Sequence, residues 1–92
     1  MSFSTFIIKE QSVGLIIKKE GIFLFIPWIH LQYVDLVSHG SSALTFYFST
    51  HTVTLNAESE ILEYVLQLCK KGDIAEIKES KEIKIAIEER LQ

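Results

Sequence analysis

The stretch from Lys18 to Ile29, Lys-Lys-Glu-Gly-Ile-Phe-Leu-Phe-Ile-Pro-Trp-Ile, constrains the fold more than any other part of the chain. A charged turn with one glycine leads into five consecutive apolar residues, Ile22 to Ile26, and then into Pro27. Because this run is short and consists of β-branched, aromatic and leucine side chains, it predicts a strand. A strand without polar residues is typically covered on both faces, so the sequence predicts a central, buried strand here.

The size of the chain limits how much material is available to cover such a strand. The 92 residues correspond to a single domain, 1–92, with one modest core. Hydrophobic residues make up 48% of the sequence, which is rich for a domain with so much surface. Two interpretations stay open: a well-packed β core, or an apolar surface that meets a partner or a second copy.

Charge and cysteine content narrow the class of partner and the compartment. Nine lysines and arginines stand against twelve acidic residues, so the net charge is −3. This balance argues against binding nucleic acid or anionic membrane surfaces, both of which favour basic proteins. Cys69 is the single cysteine, which excludes an intramolecular disulfide and fits a reducing compartment. No signal peptide or membrane span is predicted, and we expect a cytoplasmic location.

Residues 1–56 are predicted to form a β-meander of about six strands. Gly21 marks the tight turn of one hairpin, and Ser38 to Ser42 mark a loop. The predicted strands are Phe3–Lys9, Val13–Lys19, Ile22–Ile26, Leu31–Val37, Ala43–Ser49 and Thr52–Leu55.

Two helical segments are predicted to follow the meander. Helix 57–71 begins after Asn56 as its cap and ends before Gly72, with an apolar stripe at helical spacing. Residues 73–92 read as a charged C-terminal helical segment, either one helix over 73–91 or one that breaks near Ser80. In the second case Ile83, Ile87 and Leu91 form a narrow stripe. The stripe of the first helix consists of Ile61, Leu62, Val65, Leu68 and Cys69.

The sequence lacks the residue patterns of the common catalytic and metal sites. His30, His39 and His51 are nine and twelve residues apart, which differs from the close spacing of zinc ligands. Cys69 lies on the helical stripe and is interpreted as a small buried hydrophobe. Neither a glycine-rich phosphate loop nor a G-x-S-x-G motif occurs. We therefore predict no catalytic residues, no metal site and no cofactor.

Three aromatic residues are the candidate binding residues. Trp28 and Tyr33 flank the break at Pro27, and Tyr47 alternates with the face predicted to carry Phe46 and Phe48. Aromatic side chains outside a core are frequent interface anchors. The alternative is that these three residues cover the open end of the core.

The segment Phe25-Ile-Pro-Trp-Ile-His-Leu-Gln-Tyr-Val34, followed by a hairpin and an amphipathic helix, resembles bacterial PH-like domains. The resemblance covers roughly residues 12–71 and rests on the pattern of hydrophobic residues. It implies a bent, partly open barrel plugged by a C-terminal helix, and a scaffold that binds proteins or lipids. LytTR DNA-binding domains also interrupt a strand with Ile-Pro, but Lys70-Lys71-Gly72-Asp73 stands where those domains carry a basic segment.

Together these observations predict an α+β domain with a bent antiparallel β-sheet or partly open barrel of about six strands and one or two C-terminal helices. We expect a small non-catalytic interaction module that self-associates as a homo-oligomer. The alternative is a carrier that holds an apolar small molecule or lipid within the barrel, and DNA-binding or enzymatic functions are less favoured. The stretch Gly21 to Ile29 then lies either inside a barrel closed by helix 57–71 or against a second molecule.

Overall fold

The computed structural model describes residues 6–8, 13–37, 42–71 and 74–90, and these residues form an α+β fold. Within them lie two four-stranded sheets and one α-helix. A 3-10 turn, Trp28–His30, joins the two sheets. The elements are β1 Phe6–Ile8, β2 Gly14–Lys19, β3 Ile22–Pro27, β4 Leu31–Val37, β5 Ala43–Phe48, β6 His51–Asn56, α1 Ser59–Lys71, β7 Ile74–Lys78 and β8 Lys84–Glu89.

The first sheet, sheet A, has the strand order β1-β7-β2-β3. Strands β2 and β3 form an antiparallel hairpin around Glu20 and Gly21, and Gly21 adopts a φ of 76°, which a residue with a side chain rarely tolerates. Strand β7 is parallel to β2 and antiparallel to β1. The second sheet, sheet B, has the order β4-β5-β6-β8 and is antiparallel throughout.

The core lies between the two sheets and the helix. Alternate side chains of β2, β3, β5, β6 and β8 point inward, as the period of two requires, and α1 packs its apolar stripe against β5 and β7. The helix therefore connects the two sheets. The buried residues are Leu15, Ile17, Ile26, Leu44, Phe46, Phe48, Val53, Leu55, Ile61, Leu62, Val65, Ile77, Ile83 and Ile85.

The prediction of a charged C-terminal helical segment is wrong. Residues 74–78 and 84–89 are strands, so α1 is internal rather than C-terminal. The residues Ile83, Ile85 and Ile87 repeat every second position, and the first two are buried. That alternation suits a strand with one face on a core. The spacing of four residues between Ile83, Ile87 and Leu91, which suggested a helix, does not determine the structure. Leu91 lies outside the described residues.

The remaining fold predictions agree with the structure in part. Helix 57–71 is confirmed as α1, and the strands after residue 13 are confirmed with small shifts at their ends. Asn56 is wrong as the helix cap, because it is the last residue of β6 and pairs with Ala43 and Lys84. The described strands do not close into a barrel. Most of the loop predicted at 38–42, and Gly72 after the helix, lie outside the described residues.

Candidate functional site

Among the described strands, β3 is an edge strand with one exposed face, which corrects the prediction of a central strand covered on both sides. Phe23 and Phe25 are 68% and 48% exposed. Ile26 is buried and Leu24 packs against the core, so the inner face alone is covered. The central position in this part of sheet A belongs to β2. The described residues therefore leave the apolar outer face of β3 uncovered.

The outer face of the β2–β3 hairpin forms a surface that we name the β3 surface, made of Ile16, Lys18, Phe23 and Phe25. The strand register places Ile16 opposite Phe25 and Lys18 opposite Phe23. The Lys18 Nζ lies 5.1 Å from the centroid of the Phe23 ring and 3.1 Å from Oε1 of Glu76 on β7. The ammonium group thus sits over the ring, where a cation–π contact is favourable. Its ion-pair partner Glu76 lies on β7, on the side of β2 opposite to the edge strand β3.

Gly14 fixes the position of the Phe25 ring. A Cβ atom at Gly14 would lie 2.6 Å from two carbons of that ring and 2.8 Å from the carbonyl oxygen of Ile26. Both distances are far below a normal van der Waals contact. The ring of Phe25 therefore occupies the space that a side chain at position 14 would need, in the manner of an aromatic residue packed over a strand glycine.

The backbone of β3 carries a row of hydrogen-bonding groups that face away from the sheet. The hairpin has a two-residue turn closed by the pair Lys19 and Ile22, so the Ile22 amide points toward β2. Antiparallel strands alternate from there, and the amide and carbonyl groups of Phe23 and Phe25 point outward. Pro27 falls in the same outward series, where a missing N–H breaks no ladder bond. In the described part of the chain, no strand lies beyond β3 in sheet A.

On the edge of β8, side chains bind both backbone groups of Ile85, in contrast to the edge of β3. The Ile85 amide donates a hydrogen bond to Oε2 of Glu79 at 2.9 Å, and Lys19 Nζ donates to the Ile85 carbonyl oxygen at 2.5 Å. Lys19 and Glu79 also approach each other at 4.0 Å, so a side-chain bridge links the two sheets at this corner. Proteins usually protect sheet edges with charges or coverage. Strand β3, Ile22–Pro27, has no charged residue at all.

Glu79 is expected to stabilise the fold through this bridge. Its replacement by alanine removes the acceptor of the Ile85 amide and the partner of Lys19, so the free energy of unfolding should fall by about 2 kcal/mol. Urea denaturation measures this loss. Glu82→Ala, a change of an exposed glutamate in the same loop, should stay within about 0.5 kcal/mol of the parent protein. Equal stability of the two variants would contradict a bridging role for Glu79.

The three aromatic residues selected from the sequence do not form one site. Trp28 packs against the core, with its ring centroid 6.3 Å from that of Phe48. Tyr33 and Tyr47 stack at 4.2 Å with an interplanar angle of 17° on the outer face of sheet B. Because Phe48 points into the core, Trp28 and the tyrosine pair lie on opposite faces of that sheet. A binding role for the three residues stays a prediction.

The exposed residues Phe23 and Phe25 were missed by sequence reasoning. An apolar strand has the same pattern whether its second face meets its own chain or another molecule. Pro27 was the available signal, because proline within a strand is largely confined to edge strands and bulges.

Among the remaining candidate residues, the structure describes Cys69, His30 and His51. Burial raises the pKa of the Cys69 thiol from 9.0 to about 12, which makes it a poor nucleophile. His30 Nδ1 lies 3.4 Å from Ser49 Oγ, and His51 Nδ1 lies 2.9 Å from Thr50 Oγ1. His39 lies outside the described residues. Among the residues that the structure describes, no three histidine, cysteine or acidic side chains are grouped to hold a metal ion.

Comparison of the chain with protein-family models, with curated proteins and with solved structures found no match. The likeness to PH-like domains therefore stays a resemblance of sequence pattern. In the described residues, no helix has the length and apolar character needed to cross a membrane.

Proposed function

We propose that this protein is a non-catalytic interaction module that self-associates through the β3 surface and the adjacent edge of β3. The observation that carries the proposal is the combination, on one strand, of exposed phenylalanine rings with outward-facing backbone groups and no charge. Aromatic side chains supply much of the binding energy at protein interfaces. A charge-free strand edge adds a template for pairing with another strand.

The size of the surface suggests the strength of the association. Because Phe23 and Phe25 are 68% and 48% exposed, burial of the exposed part of each ring contributes about 1–2 kcal/mol, or about 4–8 kcal/mol for the four rings of two copies. Hydrogen bonds from the four outward amides of the two copies add about 4 kcal/mol, against an entropic cost of at least about 4 kcal/mol for association. The remainder corresponds to dissociation constants of roughly a micromolar to a millimolar.

Two clefts of the described structure favour this function over carriage of an apolar ligand. A cleft of about 340 Å³ and another of about 240 Å³ are lined mainly by charged side chains, and an apolar ligand there would desolvate those charges. The space between the sheets is occupied by the buried core. The charged residues of the larger cleft are Lys18, Lys19, Glu20, Lys78, Glu79 and Lys84.

Replacement of Phe23 by threonine should weaken self-association by about 30-fold, because the change removes one aromatic anchor from each copy. Threonine is compatible with a strand, and Phe23 is largely exposed, so the fold should be retained. Sedimentation velocity from about 1 µM to about 1 mM covers the expected range of dissociation constants. Circular dichroism checks that the variant is folded.

Tyr33→Thr is the matched control, since Tyr33 is an exposed aromatic residue on an edge strand of the other sheet. Its dissociation constant should equal that of the parent protein. Dissociation by Tyr33→Thr together with unchanged association of Phe23→Thr would move the interface to the stacked tyrosines. A parent protein that is monomeric at every concentration would refute the proposed function.

A further inference from the structure

We propose that two copies of this chain pair their β3 strands antiparallel around a two-fold axis at Leu24, so that two A sheets join into one continuous sheet of eight strands. The inference rests on the proposed function and specifies its geometry. Two-fold dimers use the same surface patch on both copies. Strand β3 meets this requirement because two identical strands that pair antiparallel are related by a two-fold axis.

The backbone groups of β3 select the register. With the axis at Leu24, Phe23 of one copy faces Phe25 of the other, and each pair exchanges two N–H···O bonds. All outward amide and carbonyl groups of both phenylalanines are then satisfied. With the axis at Phe25, Phe23 would face Pro27, which has no N–H, and the Phe23 carbonyl would stay unpaired. With the axis at Phe23, Phe25 would face Gly21 of the turn.

The side chains of the β3 surface agree with the same register. Each row of side chains across the joined strands would contain Lys18 and Phe23 of one copy, followed by Phe25 and Ile16 of the other copy. Four phenylalanine rings would therefore meet at the centre of the interface. Opposite and diagonal aromatic neighbours on one face of a sheet are close enough to pack. The rings would be shielded from water by Ile16 and by the aliphatic stem of Lys18 at the two ends of each row.

Charges do not oppose this pairing. The β3 strand contributes none, and the nearest charged side chain on the outer face is Lys18, already paired with Glu76. In the proposed sheet the Lys18 residues of the two copies lie three strand intervals apart and two residues apart along the strand direction, or about 16 Å. That separation exceeds the Debye length of about 8 Å at physiological ionic strength. An edge strand with a central lysine would instead bring two like charges together.

Disulfide trapping tests the register directly, in a Cys69→Ala background. At the axis, Leu24 of each copy forms a pair without hydrogen bonds, with Cα atoms about 4.5 Å apart, which a disulfide can bridge. Leu24→Cys should therefore give a covalent dimer on mild oxidation. Ile22→Cys is the control on the same strand and face. The Cα atoms of its two copies would lie about 14 Å apart, so the variant should stay monomeric on a denaturing gel.

Amide exchange of the parent protein gives a second readout that does not depend on a variant. At associating concentrations the amides of Phe23 and Phe25 should exchange at least about tenfold more slowly than in dilute solution, because both become hydrogen-bonded. The Leu24 amide already faces β2 and should change far less. Exchange can be followed residue by residue by NMR.

The outcomes separate this geometry from the general function. A parent protein that self-associates without a Leu24→Cys cross-link and without slower Phe23 and Phe25 exchange would overturn the β3 pairing and leave the interaction module intact. A parent protein that never self-associates would overturn both. A cross-link through Ile22→Cys that equals the one through Leu24→Cys would exclude the register centred on Leu24.

Discussion

Replacement of Gly14 by valine is expected to lower the free energy of unfolding by about 3 kcal/mol and to weaken self-association in the molecules that stay folded. The new side chain would meet the ring of Phe25 and the carbonyl oxygen of Ile26, both within 3 Å of the Cβ position. The backbone oxygen cannot move without disturbing the β2–β3 ladder, so the substitution forces strain into the hairpin. Displacement of the Phe25 ring from its place over Gly14 would alter the β3 surface.

Gly21→Ala provides the comparison for this experiment. Gly21 has a φ of 76° with no atom near its Cβ position, so alanine there should cost about 1 kcal/mol for its backbone conformation alone. Association should not change. Thermal and urea denaturation give the stabilities, and sedimentation gives the dissociation constants. A Gly14→Val protein with the stability and association of the parent would show that the Phe25 ring does not lie over Gly14.

Replacement of Trp28 by alanine should also reduce the free energy of unfolding by about 3 kcal/mol, but without a change in self-association. Trp28 packs on Phe48 and the core, and large-to-small changes at such positions remove buried contacts and leave a cavity. The side chain lies on the inner side of sheet B rather than on the β3 surface.

Ile29→Ala is the neighbouring control, because Ile29 is 88% exposed and its truncation should cost less than about 0.5 kcal/mol. Denaturation and sedimentation are again measured on the same samples. Loss of association by Trp28→Ala with unchanged stability would identify Trp28 as an interface anchor. That result would support the hypothesis, drawn from the sequence, that Trp28 is a binding residue.

The elements that could be predicted from the sequence are those with one unambiguous period. The stripe of Ile61, Leu62 and Val65 repeats at helical spacing between a strand and a glycine, and α1 forms there. The alternation of Leu44, Phe46 and Phe48 likewise predicts β5 with one face on the core, as the structure has it. In both cases the residues of one short segment and those next to it in the sequence are enough to predict the element.

The parts that could not be predicted depend on long-range pairing. The charges at alternate positions of residues 74–78 are compatible with an exposed helix as well as with a strand. The segment forms a strand because it pairs with the edge of β2. For β3, local sequence indicates a strand but not its place in the sheet. Phe23 and Phe25 are apolar whether they meet a core or a partner, so the candidate site became visible only once the sheet order was known.

The insertion of β7 into sheet A has a consequence for how the protein is made. Strand β1 pairs with β7 among the described strands, and β2 uses β7 for its second edge, yet β7 follows both by more than 50 residues. During synthesis the β2–β3 hairpin therefore leaves the ribosome long before its neighbour exists. Such distant contacts slow folding. Until β7 is available, the nascent hairpin has two open strand edges, and such edges together with exposed apolar side chains favour aggregation.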